Sequence, residues 1–146
     1  MIKTKPSVRL HFPSKFNLAY RGRLKAFSAS IFKKEKKSLK SLNIIFCDDN
    51  YLLELNQEFL KHDFYTDILS FRLSPPGEPL VAEIYISIDR VRDNAKNLNS
   101  PFKSELYRVI FHGILHFCGY KDKTHSDILK MRAMEDKWLK RYNHIA

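Results

Sequence analysis

An α+β domain, with a mixed β-sheet packed by helices, is the architecture expected of this chain. Three observations lead there. Strand-like alternation and helix-like periodicity are interleaved along the sequence without the strict alternation of a parallel α/β fold. No repeat, low-complexity tract or Pro/Gly-rich linker divides the 146 residues, so residues 1–146 read as one domain. A hydrophobic fraction of 44% and a charged fraction of 29% are ordinary for a chain that buries a core, which excludes disordered and collagen-like classes.

The elements follow in order. Val8 to Phe12 alternates as a strand and stops at Pro13. Residues 21–38 place Leu24, Phe27 and Ile31 at helical spacing. Leu42 to Phe46 is a strand, after which Asp48 or Asp49 caps a helix carrying Tyr51, Leu52, Leu55 and Phe59. A polar connector spans residues 60–66, and Asp67 to Leu73 reads as a strand ended by the turn Ser74-Pro75-Pro76-Gly77. Leu80 to Ile88 is a further strand, with Asp89 as the expected N-cap of a helix reaching Leu98. Ser100 as N-cap and Pro101 at the first helical position open the next helix, where a missing N–H costs nothing. That helix should run to Phe117 or Cys118 and stop at Gly119. Thr124 and Asp127 have the spacing of a capping box for a last helix bearing Ile128, Met131, Met134, Trp138 and Leu139.

The net charge of +10 is uneven. Residues 1–50 hold 12 Lys/Arg against 3 Asp/Glu, whereas residues 51–146 hold 14 against 13. Lys33, Lys34, Lys36 and Lys37, with Arg21 and Arg23, form a concentrated positive surface of the kind that attracts polyanions through counterion release. No apolar run approaches the ~18 residues of a membrane span. The start, MIKTKPSVRL, has no apolar segment of a secretory leader, and Cys47 and Cys118 are too few for a disulfide framework. A reduced, cytoplasmic chain is therefore expected.

His112 and His116 stand four apart in the predicted helix, which puts both imidazoles on one face a turn apart. Two nitrogens so placed suit one Zn²⁺. Gly113 between them weakens the helix by ~1 kcal/mol against Ala, which points to a close approach of backbone or substrate. The exit loop supplies Asp122 and His125 as third-ligand candidates, and a catalytic zinc takes three protein ligands and an open fourth position.

The run His112-Gly113-Ile114-Leu115-His116, followed by Gly119, Tyr120 and Asp122, resembles the H-G-x-L-H-x-x-G-Y-x-H signature of the YbeY family of bacterial endoribonucleases. Thr66-Asp67-Ile68-Leu69-Ser70-Phe71 resembles its T-D-V-L-S-F segment, Asn56 its preceding L-N element, Ala82-Glu83-Ile84-Tyr85-Ile86-Ser87 its G-D-I-x-I-S strand, and Glu105-Leu106 the start of its metal helix. The likeness spans residues 43–140. It implies a metal helix like that of zinc proteases, one Zn²⁺ per chain held by His112, His116 and Asp122, and catalysis at His112 and His116. It also implies a cytoplasmic enzyme that cuts single-stranded RNA in ribosomal RNA maturation and ribosome quality control. RNA and the ribosome are then the partners, and neither DNA nor membrane is expected.

Departures from the pattern carry chemistry. The third ligand of the family is a histidine. Asp122 holds its place, lowering the formal charge of cation plus ligands from +2 to +1 and making bound water less acidic. His125 is the competing ligand, but Asp122 keeps the spacing and the loop. Leu60 stands where the family has an arginine, leaving Lys61 or His62 as substitutes for phosphate contact. The residue after His112 is Gly113 and not the glutamate base of peptidases. Thr66 and Ser70 are candidates for positioning, Asp67 and Glu105 for accepting histidine N–H groups, Cys118 for approaching the metal, and Phe64, Tyr65 or Phe71 for stacking bases. The alternative reading is a non-catalytic, zinc-containing RNA-binding factor of ribosome assembly.

Overall fold

The computed structural model describes residues 5–145, in the order β1 (Ser7–His11), α1 (Arg21–Lys34), β2 (Leu39–Cys47), α2 (Asp49–Leu60), β3 (Ile68–Arg72), β4 (Leu80–Ser87), α3 (Ile88–Asn97), α4 (Phe102–Phe117) and α5 (His125–Asn143). Residues 1–4, part of the stretch expected to lack a secretory leader, and Ala146 lie outside the described residues. Among the described residues no helix is long and apolar enough to cross a membrane.

The strands are ordered β1-β2-β4-β3, with β1, β2 and β4 parallel and β3 antiparallel to β4 at one edge. This is the mixed sheet of the α+β expectation. Alternation along the strands divides the side chains between two faces. Leu42, Ile44 and Phe46 of β2 and Ala82, Ile84 and Ile86 of β4 join apolar residues of α1, α3, α4 and α5 in the main core. Ile45, Cys47 and Leu69 turn to the other face and pack beneath Leu52 of α2.

Several boundaries differ from the sequence reading, each for a local reason. Helix α1 ends at Lys34 rather than near residue 38, because Lys36 adopts a left-handed φ of 58° that no helix continues through. Ser87, not Asp89, caps α3: its Oγ accepts the Arg90 N–H at 3.2 Å, and Asp89 instead accepts the Asp49 N–H at 2.9 Å. Strand β4 runs directly into the helix, so the cap falls on the last strand residue. Pro101 itself occupies the cap of α4 with ψ of 142°, leaving Ser100 outside. Asp48 caps α2 through the Tyr51 N–H, and the Thr124–Asp127 capping box forms as expected.

Helix α4 lies against the sheet with Leu106, Ile110, Phe111 and Ile114 fully buried. It approaches the sheet closely at Gly113. A Cβ there would sit 2.7 Å from Ile68 Cδ1 and 3.1 Å from Ile84 Cδ1. The glycine lets α4 settle on β3 and β4, while His112 reaches Glu135 of α5 and His116 the loop that follows α4. Gly113→Val is expected to cost about 1–3 kcal/mol through overpacking. Gly113→Ala should cost less, since ~1 kcal/mol of helix propensity is regained. Urea midpoints check this order, and an unchanged midpoint for the valine variant would contradict the close approach.

Candidate metal centre

The end of α4 builds the site. The Tyr120 N–H donates to the Leu115 carbonyl at 3.1 Å and the Gly119 N–H to the His116 carbonyl at 3.1 Å, the paired bonds of a Schellman closure. Gly119 supplies the left-handed φ of 102° that this closure needs. The chain is thereby folded back so that Asp122 returns to the histidine face.

Three donor atoms converge there. The Nε2 atoms of His112 and His116 are 3.0 Å apart, and Asp122 Oδ2 lies 3.1 Å from His116 Nε2 and 3.4 Å from His112 Nε2. Ligands at Zn–N and Zn–O distances in tetrahedral array are separated by about 3.3 Å, which these spacings match. The protonation pattern strengthens the point. His116 Nδ1 lies 3.0 Å from the Tyr120 carbonyl, which can only accept, so Nδ1 carries the proton. His112 Nδ1 likewise donates to Glu135 Oε2 at 2.7 Å. Both Nε2 atoms then present bare lone pairs to each other and to a carboxylate oxygen. Three converging acceptors repel, and a cation among them removes the repulsion. The residues present fit a divalent metal ion.

Glu135 of α5 anchors this arrangement. Its side chain is 5% exposed, and its second oxygen accepts Arg108 Nη1 at 2.9 Å while Arg108 Nη2 donates to Asp136 at 2.7 Å. Burial raises the Glu135 pKa, but the hydrogen bonds from His112 and Arg108 outweigh it and hold the carboxyl below the usual carboxylate range. Burial opposes a charged His112, yet the hydrogen bond and field of Glu135 prevail and raise its pKa above the ordinary imidazole value. A cavity of about 190 Å³ opens beside His112 and Asp122, with Asp67, Glu105 and Arg132 in its wall.

The structure brings together His112, His116 and Asp122 and leaves the other candidates elsewhere. His125 begins α5, exposed and outside the cluster. Asp67 and Glu105 line the cavity, but the histidine N–H groups go to Glu135 and to the Tyr120 carbonyl, correcting the expected acceptors. Burial raises the pKa of both carboxyls. Thr66 donates to the Ile68 carbonyl and Ser70 is exposed on the edge strand; neither reaches the cavity wall. Cys118 packs against the core, its thiol pushed up to about 12 by burial. Phe71 sits between Phe59 and Tyr85, a core position, whereas Phe64 stacks on His62 and Tyr65 lies under Arg90, both exposed. Lys61 caps α2, so neither it nor His62 lines the cavity. Arg21 rests on Phe12 and Arg23 on Tyr142, while Lys33, Lys34 and Lys36 are exposed.

Glu135 is the residue that sequence reasoning missed. Its signal was present: it interrupts the apolar stripe Ile128, Met131, Trp138, Tyr142 on the inward face of α5. A carboxylate on that face needs a partner.

An α+β fold whose sheet supports a His/His/Asp cluster able to hold a metal ion defines the class of protein. The family model described as Endoribonuclease YbeY matches residues 14–143, and the chain belongs to that family. Endoribonuclease YbeY of Flavobacterium psychrophilum is 52% identical over 115 residues, covering 79% of this chain and 81% of the relative. The protein of the same name from Cytophaga hutchinsonii is 48% identical over 123 residues, covering 84% and 86%. The solution structure of TM1509 from Thermotoga maritima superposes with a TM-score of 0.63 at 27% identity, covering 93% of this chain and 88% of that one.

Glu135→Gln is expected to weaken metal affinity about 10- to 100-fold, as measured by competition with a chromogenic chelator. In the metal-free protein the depressed Glu135 contributes stability above the carboxylate range, lost as pH falls through its folded pKa. The raised His112 contributes fully below its ordinary value of about 6.5, and that share is lost as pH rises through its folded pKa. The thermal advantage of wild type over Glu135→Gln should therefore peak in the mildly acidic window between the two. A pH-independent difference would contradict the pairing.

Proposed function

We propose that this protein is a zinc-dependent endoribonuclease that cuts single-stranded RNA, acting in the cytoplasm in ribosomal RNA maturation and ribosome quality control. The observation that carries the reading is the convergence of His112 Nε2, His116 Nε2 and Asp122 Oδ2 within 3.4 Å beside an open cavity. Membership of the endoribonuclease family supports the same chemistry. His112, His116 and Asp122 would hold one Zn²⁺. Such an ion lowers the pKa of water and neutralises charge that develops on phosphoryl oxygens.

The chain itself supplies the rest. Glu135 and the Tyr120 carbonyl fix the tautomer and tilt of the two imidazoles, so that both lone pairs are aimed before substrate arrives. Arg108 keeps Glu135 in place from its far side. Asp122 is the most exposed of the three and lines the cavity, where a phosphodiester would meet the metal. The exposed lysines at the end of α1 offer a surface for the RNA backbone away from the reacting centre. Lys34 approaches Lys137 and Arg141 around the ring of Trp138, at 5.8, 5.1 and 5.0 Å from its centroid, which extends that surface onto α5.

His116→Ala is expected to lose both zinc and RNA cleavage, read by metal analysis and by gel assay on a single-stranded ribosomal RNA fragment. Retained cleavage by the purified variant would reject the assignment. Zinc bound at one per chain with no metal-dependent cleavage by wild type would favour the non-catalytic assembly factor instead.

A further inference from the structure

Among the described residues, the cavity beside the cluster contains one arginine with no hydrogen-bonded carboxylate partner. Arg132 lines it together with His112 and Asp122. Its side chain is 58% exposed, and its acidic neighbour, Glu135 Oε1, stands 3.6 Å away, beyond hydrogen-bond reach. That carboxylate is already satisfied by Arg108 at 2.9 Å and His112 at 2.7 Å. Arg108, the other cationic residue in the cavity wall, is committed to Glu135 and Asp136. Lys61 and His62 lie outside the wall, and Leu60 at the end of α2 carries no charge.

The wall also holds several acidic groups. Asp67, Glu105 and Asp122 all face the cavity, and Glu105, 8% exposed, forms no ion pair among the described residues. A phosphodiester bound in this cavity faces these carboxylates, so its binding needs a compensating cation. A guanidinium meets two phosphate oxygens with two parallel N–H bonds, a match that an ammonium cannot reproduce. Arg132 lies one helical turn from Glu135 on the same face of α5, so the fork is held next to the group that orients His112.

We propose that Arg132 is the phosphate-binding residue of this site, gripping a backbone phosphate of single-stranded RNA beside the metal cluster. The proposal rests on the endoribonuclease reading and adds the residue that positions the substrate.

The test compares zinc-loaded wild type, Arg132→Ala and Arg132→Lys. A fluorescent 2′-O-methyl single-stranded oligoribonucleotide reports affinity by anisotropy at several salt concentrations, alongside zinc content, thermal melting, kcat and KM. Arg132→Ala should bind the probe about tenfold more weakly and lose about one phosphate contact from the salt slope. Its KM should rise while zinc content and melting stay unchanged. Arg132→Lys should recover the salt slope but only part of the affinity, because it restores the charge and not the fork. Unchanged affinity and slope in the alanine variant, with wild type cleaving RNA, would overturn this proposal alone. Loss of zinc or of stability in parallel with affinity would also overturn it, making Arg132 a support for Glu135. Wild type that neither binds nor cuts single-stranded RNA would overturn both this proposal and the reading beneath it.

Discussion

Three lone pairs aimed at one point are the constraint around which this protein is built. Unpaired acceptors at about 3 Å destabilise a fold unless a cation or proton stands among them. The chain holds them there nonetheless, with an i, i+4 histidine pair, a Schellman turn that returns Asp122, and a buried glutamate from the last helix. The first two devices are local and the third is a tertiary contact between α4 and α5. Their agreement on one point is what distinguishes the site from a chance histidine pair.

The rest of the architecture positions that point. The sheet carries no ligand. It supplies the surface on which α4 rests, and at Gly113 helix and sheet come too close for a side chain without a shift of Ile68. Helix α5 closes the opposite side and contributes Glu135 inward and a basic face outward. The cluster is therefore braced from both sides. Asp122 would also set the electrostatics of a bound cation, since a carboxylate ligand would halve the formal charge that a three-histidine site would present. That weaker field makes a further cation in the cavity wall more consequential for an anionic substrate.

Much of this was legible in the sequence, and the reasons differ by element. The histidine pair, its glycine and the exit-loop aspartate are close in the chain, so spacing alone brings them together. The Thr124–Asp127 capping box has the same local character. The cap of α3 was misplaced because Ser87 ends a strand and starts a helix at once, and a strand residue does not advertise itself as a cap. Glu135 and Arg132 were not found because their roles depend on how α5 crosses α4; the apolar stripe of α5 marks Glu135 as facing inward but not which group it meets. Arg21 and Arg23 were read as part of a positive surface on charge alone, and the structure adds that each lies over an aromatic ring, Phe12 and Tyr142, which spacing does not encode.

X-ray absorption at the zinc edge of the metal-loaded protein tests the central claim most directly. The arrangement of His112, His116 and Asp122 predicts a first shell of nitrogen and oxygen alone at about 2.0–2.2 Å, with outer-shell scattering from two imidazoles. A sulfur scatterer near 2.3 Å, or the absence of the imidazole pair, would place the ion elsewhere and contradict the account.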